Sequence, residues 1–440
     1  MKHLSLVLMC CLPGALNAQV SGIASGLPAA FGGDVRMRWL VLGDEQKTAR
    51  LRDITQALIV GDGAVGEGNV TEFRIAVPEG AVLELVSAPS FIPEALPGFG
   101  AIYGDVWPVA VDADGQRALE SGQFDAQGAW FGLRNRFYAV LLTDVAGARI
   151  IIDTGHENEP VMTLEPVEGQ REIAFRLYAG PVEHGALRAA DPVLAKMLFA
   201  ALWNWLRWLC FGMLWLLTAI DGVIGNIGVS IVLLSVAVKI LMSPLTKAAD
   251  RLQDSVNRTA ALLQPELDAI KREYKGEEAH NRVLAVYKKH GVHPLYTMKS
   301  LAGFLLQIPI FIAAFDMLGE NYALHEVSFL WIEDLAKPDQ WLALPFVLPF
   351  FGGYLNLLPC LMTAFTLLTS WLQHEASLNV ELNRRQQSRL FWMAGAFFLL
   401  FYTFPAGMVL YWTTNNVLAL IRVGIGKSFN ASGPRSGGPL

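Results

Sequence analysis

Residues 235–251 read SVAVKILMSPLTKAADR. From Ile227 to Leu245 the residues are apolar almost throughout, yet Lys239 stands inside the run, shortly before Ser243-Pro244. A charge at the bilayer centre costs about 3 kcal/mol on insertion scales, and less toward the edge. The surrounding composition makes the run a membrane span. Of the 440 residues 53% are hydrophobic and 17% charged, with a mean hydropathy of +0.37, which a wholly soluble chain does not carry. A formal net charge of -6 excludes a general nucleic-acid binder, because no basic balance is present to neutralise phosphates.

Outward from Lys239, four more apolar segments have the character of spans: Leu301 to Leu318, Tyr354 to Leu372, Leu390 to Phe404 and Ala406 to Ile421. Basic residues orient them. Ten lie between Lys247 and Lys299; Arg384, Arg385 and Arg389 lie between the third and fourth spans; Arg422, Lys427 and Arg435 follow the last. The second-to-third loop carries only Lys337. The positive-inside rule therefore puts the first group and the C-terminus in the cytoplasm. A sixth span at Met197 to Ile220 inverts that pattern, so this Trp-rich stretch is assigned to a helix in the outer interface, within residues 193–225, with Asn204 and Arg207 toward water. Between Lys247 and Tyr296, two amphipathic runs flank KGE, which predicts a cytoplasmic helical hairpin over 247–296 with its turn near Gly276.

Ahead of the spans, residues 19–192 are of soluble character. VRMRWLVL, TEFRIAV, AVLELVS, RFYAVLLTDV, RIIID and REIAFRLYA alternate with Gly, Pro, Asp and Asn turns, which predicts an exported, periplasmic antiparallel β-sandwich. The first 18 residues, with Lys2, an apolar run from Leu4 to Leu12 and small Ala18, have the layout of a secretory signal peptide, with a short uncleaved N-terminal anchor as the alternative. Past it only Cys210 and Cys360 remain, both among apolar residues, so no structural disulfide is expected. Residues 428–440 have the composition of a disordered tail.

The depth of each polar group follows from this topology. Lys239 and Gln307 fall about six residues, or ~9 Å of helix rise, from the cytoplasmic face. Thr366, Thr369 and Ser370 lie in the inner half of the third span, and Thr413, Thr414, Asn415 and Asn416 in the inner half of the last. Four consecutive positions point around the whole helix, so some face protein or water. The cluster is best explained by a wet groove open to the cytoplasm and closed toward the outside. Enzyme signatures are wanting: GIGKSF near Lys427 lacks the first glycine of a P-loop, His290 and His293 have no evident third ligand, and there is no Gly-x-Ser-x-Gly. No cofactor and no catalytic activity are expected.

VKILMSPLTKAADR, LLQPELDAIKREY, VLAVYKKHGVHPLY, LLQIPIFIAAF and FPAGMVLYWTTNNVLALI stand in the order and spacing of the YidC-type membrane protein insertases, the family that includes the mitochondrial and chloroplast insertases, and the chain resembles that family from about Leu214 to Arg422. AWFGLRNRFYAVLL is similar to a segment of its bacterial periplasmic domain. The resemblance implies a domain over 226–427 with five core spans around a positively charged hydrophilic groove, through which single proteins enter the membrane without nucleotide hydrolysis. Lys239 takes the place of the groove's usual Arg; Ser235 and Trp412 map to substrate-contacting positions, Trp412 replacing a frequent Tyr. HPLYTMK departs from the family's Asn-Pro-Leu-Gly-Gly, and a short signal stands where the enterobacterial type has an uncleaved first span.

The expectation is a polytopic α-helical membrane protein of the bacterial inner membrane, an insertase and folding chaperone whose groove comprises Lys239, Ser235, Gln307, Tyr411, Trp412, Thr413 and Asn415. Its partners are nascent membrane proteins, membrane lipids, a translocation channel for long exported domains, and the ribosome through the hairpin. A channel or transporter for a small anionic solute is the rival reading; it calls for paired half-helices and inverted repeats, which the sequence does not carry. A silent scaffold for a membrane complex is not separated from the insertase by sequence.

Overall fold

The computed structural model describes residues 35–41, 50–53, 65–66, 69–76, 81–87, 93–125, 128–154, 160–170, 172–293, 296, 301–372 and 380–431; the expected signal peptide and the tail beyond 431 lie outside them. The chain divides into two compact units, and the division is not the linear one expected. Ala95–Gly104 interrupts the first unit and belongs to the second, and the main boundary falls at Leu198 and Phe199 in place of 192.

The first unit is an N-terminal antiparallel β domain. One sheet runs, in spatial order, Arg50–Asp53, Val35–Val41, Ala81–Ser87, Val161–Pro166, Ala148–Asp153 and Gly122–Phe124. The other runs Val65–Gly66, Val70–Ala76, Glu172–Pro181, Tyr138–Ala146, Trp130–Arg134, Trp107–Asp112 and Gly115–Ala118. Each of the six runs quoted from the sequence contains a strand; along the one at Ala148–Asp153, alternation puts Ile150 and Ile152 inward while Ile151 stays outside the core. Leu83, Met162 and Leu164 of the first sheet meet Phe73, Phe131, Leu142 and Phe175 of the second in one core, each contributing about 1.5–3 kcal/mol by its burial. A short helix, α1 (His184–Ala190), follows the last strand.

The second unit is helical. α2 (Asn204–Ile224) starts seven residues later than the expected Met197 and buries a stripe of Leu206, Cys210, Met213 and Leu217, leaving Trp203 just before it and Trp205, Trp208 and Trp215 exposed. Among the described residues it is the one helix long and apolar enough to cross a membrane unaided. Gly225, at φ +67°, ends it, and the Asn226 side chain accepts from Val229 N to start α3 (Ile227–Leu241).

α3 stops at Leu241, short of the expected Leu245, because Pro244 has no N–H to continue the ladder. The chain bends 58° and resumes as α4 (Ser243–Glu273), a single 31-residue helix. Lys239 is therefore in the last turn of α3 and not six residues deep. α5 (Gly276–Lys289) returns along α4, its start set by Gly276 at φ +62°, and Leu263, Leu267 and Val286 pack between them, which is the expected hairpin with its turn in the expected place.

α6 (Leu301–Gly319) leads to a feature the sequence reading missed. Leu342–Leu348 and Gly352–Leu355 pair as a β-hairpin, so α7 (Leu357–Leu372) begins after the expected Tyr354. The hairpin exposes Leu342, Phe346 and Val347. Its turn meets the early segment within the unit, the Phe99 and Phe350 rings standing edge to face at 5.0 Å, and the same segment reaches the chain near 403, where Gly100 N donates to Thr403 Oγ1 at 3.2 Å. Asp339, accepting from Trp331 Nε1 and Leu358 N, fixes the start of α7. α8 (Val380–Phe401) and α9 (Ala406–Ala431) complete the unit; α9 runs past the expected limits at Ile421 and Lys427.

Candidate functional site

α3 and α9 lie side by side, and their contacts repeat at a constant separation. Ser235 Oγ donates to the Tyr411 carbonyl at 3.1 Å, and Lys239 Nζ donates to the Asn415 carbonyl at 3.4 Å, each pair 176 residues apart. A Cβ on Gly407 would meet Ile231 Cδ1 at 3.6 Å, and this pair has the same separation. Three contacts one turn apart with a fixed offset mean that the helices run parallel, matched along their i, i+4 ridges. Gly407 and Ser235 are small, which lets the backbones approach without a side chain between them.

The expected site residues divide into two groups around that seam. Ser235 is fully buried, and Tyr411 and Thr413 are nearly so. Ser235 is spent on the seam, its hydroxyl shared between the Ile231 and Tyr411 carbonyls, while Thr413 Oγ1 bonds back to Val409 O. In this structure these three side chains are buried against protein. Lys239 and Gln307 are exposed, and Asn415 is half-buried with its Nδ2 on Tyr411 O. Trp412 turns the other way: its ring stands edge-on to Phe311 of α6 at 4.8 Å and stacks on Phe397 and Phe401 of α8 at 6.0 and 5.7 Å. An aromatic pair adds about 0.5–1.5 kcal/mol beyond burial, so Trp412 holds α6, α8 and α9 together at this level.

Two further residues, placed from the sequence only by depth and charge and not among the groove residues, make contacts that tie helices together. Asn416 Nδ2 donates to Met362 O at 3.1 Å and Thr366 Oγ1 at 2.7 Å, pinning α9 to α7. Arg422 Nη2 pairs with Asp250 Oδ2 at 2.5 Å, joining α9 to α4. Arg422 could have been found by spacing, since it lies seven residues beyond Asn415 on the same helix face. The polar run Thr413–Asn416 thus reaches around α9 as its length requires, one member toward α3 and one toward α7. GIGKSF lies inside α9, where no phosphate-cradling loop exists. His290 Nε2 is 3.0 Å from Glu266 Oε1, in the hairpin.

Residues 219–430 match the family model described as 60Kd inner membrane protein. A protein of Syntrophobacter fumaroxidans called membrane protein insertase YidC is 31% identical over 304 residues, which cover 66% of this chain and 52% of that protein. One of the same name from Chlorobium luteolum is 27% identical over 331 residues, 72% of this chain and 54% of its own, and one from Shewanella loihica is 32% identical over 255 residues, 57% and 42%. The chain spans about half the length of the relatives it matches. A crystal structure of an active YidC insertase aligns over 90% of this chain and 84% of its own at 17% identity, with a TM-score of 0.36, too low to bear on the arrangement of parts. The resemblance read from the five motifs is thus matched across the helical unit.

Proposed function

We propose, from the match of residues 219–430 to the 60Kd inner membrane protein family and the resemblance of the chain to YidC insertases, that this protein inserts newly made proteins into the bacterial inner membrane and helps them fold. The observation that carries the mechanism is the state of Lys239. Its ammonium stands exposed at the end of α3 and is held by a backbone carbonyl, and among the described residues no carboxylate pairs with it. A cation kept free of a resident anion is available to an incoming one. An acidic or polar client tail is drawn to Lys239 and solvated by Gln307 and Asn415, while the apolar segment beside it slides into lipid along the outer helix faces. No nucleotide is hydrolysed: about 20 apolar residues, many contributing a few tenths of a kcal/mol each, outweigh the passage of a short tail. A long charged loop exceeds that, so long exported domains call for a translocation channel as partner.

Short spans support this reading. α3 has 15 residues and α7 has 16, about 22–24 Å of rise against a ~30 Å hydrocarbon core, a mismatch that thins the bilayer where the tail must cross. The α4–α5 hairpin and the C-terminus lie in the cytoplasm in this reading and the β domain in the periplasm, with ribosome contact assigned to the hairpin. α2 lies along the outer interface. Asp221 near its C-terminal end accepts from Ser230 Oγ at the start of α3, tying the two helices together there.

The test compares one client carrying an acidic or a neutralised tail, in membranes holding equal amounts of each variant. Lys239→Arg keeps insertion, Lys239→Glu abolishes it for the acidic tail, and Lys239→Ala impairs the acidic tail more than the neutral one. At ~4 Å a carboxylate gains roughly 1 kcal/mol from Lys239 in water and ~4 kcal/mol at a protein surface, so the Ala effect falls between about five-fold and several hundred-fold. Equal insertion by all variants removes Lys239 from the mechanism.

A further inference from the structure

Lys239 is not alone at its end of the bundle. Arg422 stands two turns beyond Asn415 on the same face of α9, about 10 Å further along the axis, and lies within electrostatic reach of Lys239. The seam would set position 246 opposite Arg422, but the bend after Leu241 carries α4 away from α9. Asp250, one turn further along α4, meets the guanidinium instead. The two cations therefore differ in their resident partners: a backbone carbonyl for Lys239, a carboxylate for Arg422. Both members of the Arg422–Asp250 pair are roughly half exposed, at 63% and 46%, and a pair so open to solvent yields readily to a competing carboxylate.

We infer that Arg422 is the entry cation of the site and Asp250 its resident competitor: a client carboxylate first displaces Asp250 from Arg422 and then passes inward to Lys239. Arg422 suits that first contact because a planar guanidinium offers two parallel donors to any carboxylate, Asp250 or client alike. Asp250 then sets a threshold. It repels approaching acidic tails and must be outcompeted, so a tail with several carboxylates gains entry where a tail with one does not. The inference rests on the insertase reading and adds to it a residue that selects clients by charge.

The experiment uses the full-length protein in reconstituted vesicles, with Arg422→Gln and Asp250→Asn at equal protein amounts, and reads initial insertion rates of one client with acidic and neutralised tails. Both substitutions break the same ion pair, but only the first removes the cation. Arg422→Gln should lower the acidic-tail rate about threefold or more relative to the neutral tail, and Asp250→Asn should raise it by a similar factor, both effects shrinking with added salt. If both variants lower both tails alike, the pair is a structural latch and the inference is overturned. No change in either variant overturns it equally. Wild-type protein that inserts neither tail would sink the insertase reading itself, a result distinct from both.

Discussion

Replacing Ser235 with leucine separates a seam residue from a groove residue. The Ser235 hydroxyl has no solvent exposure and sits 3.1 Å from the Tyr411 carbonyl and 3.2 Å from that of Ile231. Leucine removes an interhelical hydrogen bond, worth about 0.6 kcal/mol on average in membrane proteins. It also puts two more heavy atoms where α9 backbone already lies, an overpacking that costs about 1–3 kcal/mol. Together Ser235→Leu should destabilise the helical unit by about 2–4 kcal/mol, whereas Ser235→Ala, which leaves Tyr411 O to its own helix and to Asn415 Nδ2, should cost well under 1 kcal/mol. Reversible unfolding in mixed micelles measures both. The thiol of Ser235→Cys should react far more slowly with a soluble thiol reagent than that of Lys239→Cys. The reasoning fails if Ser235→Leu is as stable as wild type, or if the two introduced thiols react equally fast, for then the side chain at position 235 faces an open surface.

Three other outcomes follow from geometry already described. A Cβ on Gly132 would collide with the Val140 carbonyl and lie 2.8 Å from Leu141 Cα in the paired strand, so Gly132→Ala should cost the β domain about 3 kcal/mol or more; an unchanged melting temperature would contradict the strand pairing. Gly352 holds φ at +82° with Pro97 Cγ 2.9 Å from its would-be Cβ, so Gly352→Ala should lower the thermal stability of the helical unit by about 1–3 kcal/mol, checked by calorimetry against Gly353→Ala, whose Cβ meets only Val347 at 3.7 Å. In the hairpin, hydrogen bonds from His290 and then Lys289 hold the Glu266 carboxyl below its ordinary value of 4.5. A depressed acid stabilises the fold above its unfolded value and loses that contribution as pH falls through the lowered one, so spin labels on α4 and α5 should separate at acidic pH in wild type and show no such step in Glu266→Gln.

The sequence was most informative where the signal is local. Short runs rich in β-branched and aromatic residues between turn residues marked six strands, because such side chains suit the pleated, half-buried face of a strand whatever it pairs with. Gly276 marked the hairpin turn through its own freedom of φ. The 342–355 hairpin was missed for the converse reason: the sequence reading places 342–353 in a loop and begins a span at Tyr354, because a short apolar run does not by itself identify a strand pair, and Gly352 gains meaning only beside Pro97. Pro244 stood in plain view, yet its effect on Lys239 depends on whether the helix kinks or ends there, and it ends.

By itself the sequence raised the expectation of a membrane chain, marked the β domain ahead of the apolar segments, gathered basic residues on alternate loops and showed five motifs that resemble the insertases, because composition, periodicity and residue order are properties of the chain alone. Only the tertiary structure decided which polar groups are available. The 176-residue offset between α3 and α9 spends Ser235 on the Tyr411 carbonyl and leaves Lys239, one turn on, at the open end of the same seam. The bend before α4 brings Asp250 to Arg422. No local rule contains either fact, since a side chain is buried or free according to what a distant segment places against it, and that depends on how helices far apart in sequence come to pack.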